Sequence, residues 1–175
     1  MKMTLLVAPA VIGVLVGGVT TPIMTPERGA PSARSLQTSV ETALEHGDFL
    51  TAVRMTDAAH RRATSDRRWE SLIEVGDQYY RIASRTGAPE TAYLRARDAY
   101  QAALRSARHA GSLEGVLRAA EGFAQLGDVD DTELSLYVAR DLAGSDAEAV
   151  DDVRAAAARL SDLLGTVGAD DRGEE

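Results

Sequence analysis

The 175-residue chain contains no cysteine, and this absence limits its chemistry. Disulfides, thiolate catalysis, cysteine-ligated zinc and lipid attachment through an N-terminal cysteine are all excluded. Aromatic residues make up only 5% of the sequence, although 45% of it is hydrophobic. A core built mainly from Ala, Leu and Val favours closely packed helices over a sheet sandwich.

Net positive charge is also missing. The formal net charge is -8 and the sequence pI is about 4.9. Nonspecific nucleic-acid binding requires a basic face for the phosphate backbone, so nucleic acid is not an expected partner. Lys2 is the only lysine, and the arginine bias is typical of a GC-rich, bacterial genome.

The N-terminal residues 1–24 read as a signal peptide or an N-terminal membrane anchor. Residues 4–19 form an uncharged apolar run behind Lys2 and the amino terminus, which matches the first two regions of a secretory signal. The run is shorter than the roughly 20 residues of a spanning helix, although an extension to residue 24 just reaches that length. Either alternative places the remainder outside the cytoplasm, with membrane contact only through this segment. A cytosolic protein with an unusual N-terminus is the third alternative.

Residues 25–33 contain Pro26 and Pro31 together with Thr, Gly and Ser. This composition disfavours both helix and strand, and it predicts a flexible linker.

From residue 34 onward, a glycine followed by Asp or Ser recurs as a helix stop and restart. Glycine ends a helix by adopting the left-handed conformation, and the following Asp or Ser caps the next helix. The cases are Gly47-Asp48, Gly111-Ser112, Gly127-Asp128 and Gly144-Ser145, with a capping box between Ser145 and Glu148 in the last. Further breaks are predicted at Gly87-Ala88-Pro89-Glu90 and near Thr64-Ser65-Asp66. The predicted fold is all-α, with about seven antiparallel helices at 34–46, 48–63, 66–86, 89–110, 112–126, 129–143 and 146–164, and a disordered acidic tail at 165–175.

The helix pairs share a pattern of small and aromatic residues. Gly76 precedes Tyr79 by three residues, and Ala120 precedes Phe123 by the same spacing. The partner helices carry small-xxx-large-xx-small patterns, Ala96-Tyr100-Ala103 and Thr132-Leu136-Ala139. This pattern resembles the tetratricopeptide repeat, a helix-turn-helix unit of about 34 residues. The resemblance covers about 34–144 as three helix pairs, and it implies that the last helix of the 34–164 domain is a cap.

The resemblance also implies a binding surface. If the register holds, the first helices of the pairs line a concave face, whose outward positions are Gln37, Glu41, Glu45, Asp77, Tyr80, Arg81, Glu114, Glu121 and Gln125. This row is mostly acidic, with one aromatic residue and one arginine, and it suits a basic or mixed peptide. A merely solvated helix face is the alternative.

No catalytic, cofactor or metal site is predicted. His46, His60 and His109 lie near predicted helix ends, where a histidine favours the helix dipole. Asp128-Val129-Asp130-Asp131 resembles the start of a calcium loop, but Glu133 occupies the position that requires glycine, which favours helix capping.

A basic cluster of Arg61, Arg62, Arg67 and Arg68 precedes Trp69. It is interpreted as a solvated turn, with a binding patch as the alternative, and Trp69 as a core residue.

The sequence therefore predicts a non-catalytic module that binds a protein or peptide partner outside the cytoplasm. A membrane-tethered spacer or a self-associating helical bundle is the alternative function, and the sequence gives neither the partner nor the oligomeric state.

Overall fold

The computed structural model describes residues 33–86 and 90–170, and this part of the chain is helical with no strand. The helices are α1 (Ala33–Glu45), α2 (Phe49–Asp66), α3 (Trp69–Thr86), α4 (Glu90–Ala110), α5 (Leu113–Gln125), α6 (Val129–Ala143) and α7 (Ala147–Asp170). The predicted all-α class is confirmed for these residues. Residues 1–32, on which the signal or anchor and most of the linker were predicted, lie outside the described part, as does the predicted break at 87–89. No described helix has the length and apolarity needed to cross a membrane.

Short turns join successive helices where glycine was expected to end them. Gly47 and Gly127, for example, adopt φ values of +70° and +72°, which only glycine adopts at little cost. The side chains of Asp48, Ser112 and Asp128 then accept hydrogen bonds from backbone N–H groups of the following first turns. Turns this short bring each helix back against its predecessor in the opposite direction.

The break between α2 and α3 lies later than predicted. Helix α2 continues through Thr64 and Ser65 to Asp66, and Arg67 ends it in the left-handed conformation with φ +53°. The hydroxyls of Thr64 and Ser65 donate to carbonyls one turn earlier instead of capping α3. The predicted end of this helix at residue 63 was therefore three residues too early.

Helix α7 differs from its prediction at both ends. Asp146, rather than Ser145, accepts the backbone N–H groups of Glu148 and Ala149, at 3.0 and 3.2 Å. The predicted capping box is therefore replaced by a simple aspartate cap. At the other end the helix runs on to Asp170, so residues 165–170 of the expected acidic tail are helical, while 171–175 lie outside the described residues.

The helices form two layers. The odd-numbered helices contact one another in sequence, α1 with α3, α3 with α5 and α5 with α7, and α4 contacts α6 on the other side. The core between the layers is rich in alanine, and its largest fully buried side chains are Tyr79, Tyr100 and Phe123. Helix α7 covers the end of the array, where Leu160 packs with Ala120, Ala124 and Leu136 in a smaller apolar cluster.

Candidate functional site

A cavity of about 420 Å³ opens between α3 and α5 in the odd-numbered layer. Both helices contribute lining residues at helical spacing, so one face of each points into the space. The lining residues are Asp77, Tyr80, Arg81, Ser84, Arg85, Arg118, Glu121, Gly122 and Gln125.

The side chain of Tyr100 reaches this site from α4, through the gap between α3 and α5. A Cβ atom added to Gly76 would lie 2.4 Å from its ring, and one added to Gly122 would lie 2.6 Å away. The absence of side chains at these two glycines is therefore what admits the ring between the helices. The Tyr100 side chain is fully buried, and its hydroxyl donates to Oδ1 of the lining residue Asp77 at 2.8 Å.

Arginine–carboxylate pairs flank the cavity. Arg85 Nη2 lies 2.7 Å from Glu41 Oε1 of α1, and Arg118 Nη1 lies 2.9 Å from Glu121 Oε2. Arg159 of α7 approaches the other oxygen of Glu121 at 3.8 Å. These side chains are 29% to 63% exposed, so the pairs orient the groups and add little stability.

Asp77 is held less favourably. Burial raises the pKa of its carboxyl, and this effect outweighs the hydrogen bond from Tyr100 and the nearby Arg118 charge, which lower it. Arg118 Nη2 stands 3.9 Å from Asp77 Oδ2, beyond hydrogen-bond distance. Burial and the Asp77 carboxylate raise the pKa of Tyr100 far above its usual value, so its hydroxyl remains a donor at neutral pH.

The structure brings together part of the predicted row. Asp77, Tyr80, Arg81, Glu121 and Gln125 line the cavity. Glu41 joins its edge through Arg85. Three others, Gln37, Glu45 and Glu114, are exposed and lie outside the lining.

The lining of the cavity differs in charge from the predicted row, which is mostly acidic. Its lining contains three arginines and two carboxylates. Two of these arginines, Arg85 and Arg118, were missed, because the register argument selected one narrow stripe on each helix. Their positions one turn from predicted residues, Arg85 after Arg81 and Arg118 before Glu121, were the available signal.

Gly122 and Ser84 were missed because they carry little side chain. Tyr100, which the sequence shows only as part of the Ala96-Tyr100-Ala103 pattern, is fully buried behind the lining residues. The small-residue pattern at Gly76 pointed to a close approach, but it did not identify the ring that fills the gap.

A second polar cluster joins α2, α3 and α4. Asp57 accepts a hydrogen bond from the Tyr79 hydroxyl at 2.5 Å and pairs with Arg95. The guanidinium of Arg95 lies 5.9 Å from the centroid of the Tyr79 ring. His60 meets the same ring edge-on at 5.8 Å, and burial lowers its pKa. The interpretation of His60 as a helix-end residue was therefore wrong, because α2 continues for six further residues.

The basic cluster is spread around the α2–α3 turn. Arg61 and Arg62 are exposed, and Arg68 forms a 3.7 Å ion pair with Glu70. Arg67 caps the C-terminus of α2, where positive charge is favourable, and its carbonyl accepts the Ser106 hydroxyl.

Trp69 packs where the sequence suggested. It is partly buried against the core, and its ring fills the space above Gly115.

Asp128 caps α6 rather than opening a calcium loop. Its Oδ1 accepts the Asp131 N–H at 3.1 Å, and its Oδ2 lies 2.6 Å from Arg97 Nε. Within residues 33–86 and 90–170, no cluster of three or more His, Asp or Glu side chains is arranged to hold a metal ion.

Comparisons with protein-family models, with curated proteins and with solved structures find no match to this chain.

Proposed function

We propose that the chain is a non-catalytic, tetratricopeptide-like module that binds a peptide segment of a protein partner in the α3–α5 cavity. The observation that carries this proposal is the cavity itself. It combines an aromatic wall at Tyr80 with charged groups of both signs, and it lies on the odd-numbered layer where the repeat register expects a ligand.

The chemistry of the lining supports binding rather than catalysis. Ser84 is the only serine or threonine in the lining. Its hydroxyl donates a hydrogen bond to the Arg81 carbonyl of its own helix at 3.0 Å. No histidine lies among the lining residues to act as its base. Glu121 is already engaged by Arg118 at 2.9 Å and by Arg159 at 3.8 Å.

The partner is expected to carry charges of both signs. An acidic ligand would meet Glu41, Asp77 and Glu121, whereas a purely basic ligand would meet the arginines. A mixed segment satisfies both, and electrostatic complementarity of this kind sets specificity and the rate of association.

Affinity capture from the native host tests the proposal. Full-length wild-type protein and an Arg118→Gln/Glu121→Gln variant are immobilised, and retained proteins are quantified by mass spectrometry. We expect a defined partner on the wild type and at least a tenfold loss on the variant, because the variant removes an ion pair from the cavity wall.

A matched control is available on α7. Arg154 and Asp151 form an exposed ion pair with the same i,i+3 spacing as Arg118 and Glu121. An Asp151→Asn/Arg154→Gln variant removes equal charge outside the cavity and should retain the partner. Equal retention by the cavity variant would contradict the proposal, and capture of no protein except the chain itself would favour a spacer or self-associating bundle.

The same proposal places the module outside the cytoplasm. Its support is the uncharged apolar run at residues 4–19 behind Lys2. Fractionation of host cells, with mass spectrometry of the mature N-terminus, tests the location. Cytoplasmic recovery of the intact chain would contradict it, and retention of residues 1–24 in a membrane fraction would identify an anchor rather than a cleaved signal.

A further inference from the structure

Two charged side chains in the cavity do not belong to the close arginine–carboxylate pairs that flank it. Asp77 and Arg81 are four residues apart on α3, and both line the cavity. Opposite charges at this spacing on a helix commonly pair. No nitrogen–oxygen contact within 4 Å joins these two described residues, although the Arg81 charge acts on the Asp77 carboxyl from farther away and lowers its pKa.

Each of the two has only weak partners of opposite charge. The nearest cationic atom to Asp77 is Arg118 Nη2 at 3.9 Å, and Arg118 is already bonded to Glu121. Arg81 Nη1 lies 3.9 Å from Glu41, whose nearer partner is Arg85. Its remaining contact is a long hydrogen bond of 3.5 Å to the neutral amide of Gln78.

The two charged side chains are exposed to a similar extent. Asp77 lies against the Tyr100 hydroxyl with 36% of its side chain exposed, and Arg81 is 31% exposed. Both are partly removed from water without a close counter-ion, which is unfavourable unless a ligand supplies one. Tyr80, on the same face of α3, offers an aromatic surface against which an aliphatic stem can lie.

Building on the proposed function, we propose that Asp77 and Arg81 form a two-point site for a basic-x-acidic segment of the partner. A lysine or arginine side chain binds Asp77, and a carboxylate two residues away binds Arg81. The spacing fits, because Cβ atoms four residues apart on a helix are about 5–6 Å apart. In an extended peptide, alternate side chains share one face and lie about 7 Å apart.

Capped pentapeptides test this site directly. The probes are acetyl-Ala-Lys-Ala-Glu-Ala-amide, its isomer acetyl-Ala-Lys-Glu-Ala-Ala-amide, and two singly charged versions of the first in which Gln replaces Lys or Glu. Binding to the full-length, isotopically labelled protein is measured by chemical-shift titration. We expect the first peptide to bind at least tenfold more tightly than the others and to shift amide signals of α3 and α5.

Conservative variants identify the two contacts separately. Asp77→Asn keeps an oxygen for the Tyr100 hydroxyl. This variant should bind the first peptide no more tightly than the version in which Gln replaces Lys. Arg81→Gln should bind the first peptide no more tightly than the version in which Gln replaces Glu. The Asp151→Asn/Arg154→Gln variant should bind like the wild type. Circular dichroism melts confirm that each variant remains folded.

The outcomes separate this site from the proposed function. Equal binding of all four peptides, or unchanged selectivity in both variants, would overturn the two-point site. If a captured partner depends on Arg118 and Glu121 but is retained by Asp77→Asn and Arg81→Gln, the module binds its partner in the cavity by other contacts. Capture of no partner, together with selective peptide binding, would leave the site intact and reject the proposed protein partner.

Discussion

The gap that admits Tyr100 makes a sharp prediction about Gly122. Replacing a helical glycine with alanine normally stabilises a helix by about 1 kcal/mol. At Gly122 the new Cβ would lie 2.6 Å from two atoms of the Tyr100 ring. The ring has no room to move away, because Gly76 lies against it on α3 and it is fully buried beside Phe123.

Overpacking of a rigid core typically costs about 1–3 kcal/mol. Because 2.6 Å is far inside van der Waals contact, we expect the upper part of this range, about 2–3 kcal/mol, which exceeds the gain in helix propensity. Gly122→Ala should therefore lower the free energy of unfolding by about 1–2 kcal/mol. Gly165 provides the control, since it lies within α7 and an added Cβ meets nothing within 4 Å. Gly165→Ala should raise stability by about 0.5–1 kcal/mol, somewhat less than mid-helix because it lies near the end of α7.

A double-mutant cycle isolates the cause. Tyr100→Leu shortens the side chain that occupies the gap, so in that background Gly122→Ala should become stabilising. The coupling would be about 2–3 kcal/mol, within the range for residues in direct contact. Urea unfolding followed by circular dichroism measures all of these variants. Stabilisation of the otherwise wild-type protein by Gly122→Ala, to the same degree as by Gly165→Ala, would refute the packing argument.

Four further predictions concern single residues. Arg67→Gly should raise the free energy of unfolding by about 0.5 kcal/mol in chemical denaturation, because glycine adopts the left-handed conformation with less strain. The hydrogen bond from the Ser106 hydroxyl is kept, since its acceptor is the backbone carbonyl of residue 67. Asp57→Ala should lower it by about 2 kcal/mol by the same assay, since Tyr79 and Arg95 lose their common acceptor. Asp128→Ala should lower the free energy of unfolding by about 1–2 kcal/mol through the loss of a cap, which is measured as a lower melting temperature. Asp77→Asn should flatten the dependence of the free energy of unfolding on pH. In the wild type the pKa of the Asp77 carboxyl is raised in the folded state, so this group stabilises the fold at low pH. That contribution is lost as the pH rises from about 4 through the folded pKa.

The sequence predicted the helices well where a local signal marked their ends. Glycine followed by a capping residue is read entirely from neighbouring positions, so the turns at Gly47, Gly111 and Gly127 were placed correctly. The turn at Arg67 carries no such signal. An arginine adopts the left-handed conformation there within a turn whose carbonyl bonds Ser106, 39 residues away in the sequence.

The cavity was predictable only from the register within each helix, which identified three of its lining residues on α3 and two on α5. Helical register fixes which side chains share a face with Asp77, so Tyr80 and Arg81 were identified. The direction of Arg85 depends on Glu41 of another helix, and no pattern within α3 encodes that contact. Side-chain pairing between helices, rather than periodicity within one, therefore decides the sign of charge in the cavity.

Tyr100 couples the packing of the module to its proposed site. Its ring separates α3 from α5, and its hydroxyl fixes the orientation of Asp77. A change at Gly122 that displaces the ring should consequently reduce both stability and peptide selectivity. Arg81→Gln, which removes only a long hydrogen bond to Gln78 and a 3.9 Å contact with Glu41, should reduce selectivity with little change in stability. The two variants therefore separate folding from recognition. If stability and peptide selectivity instead fall together in both variants, the cavity is only a packing feature.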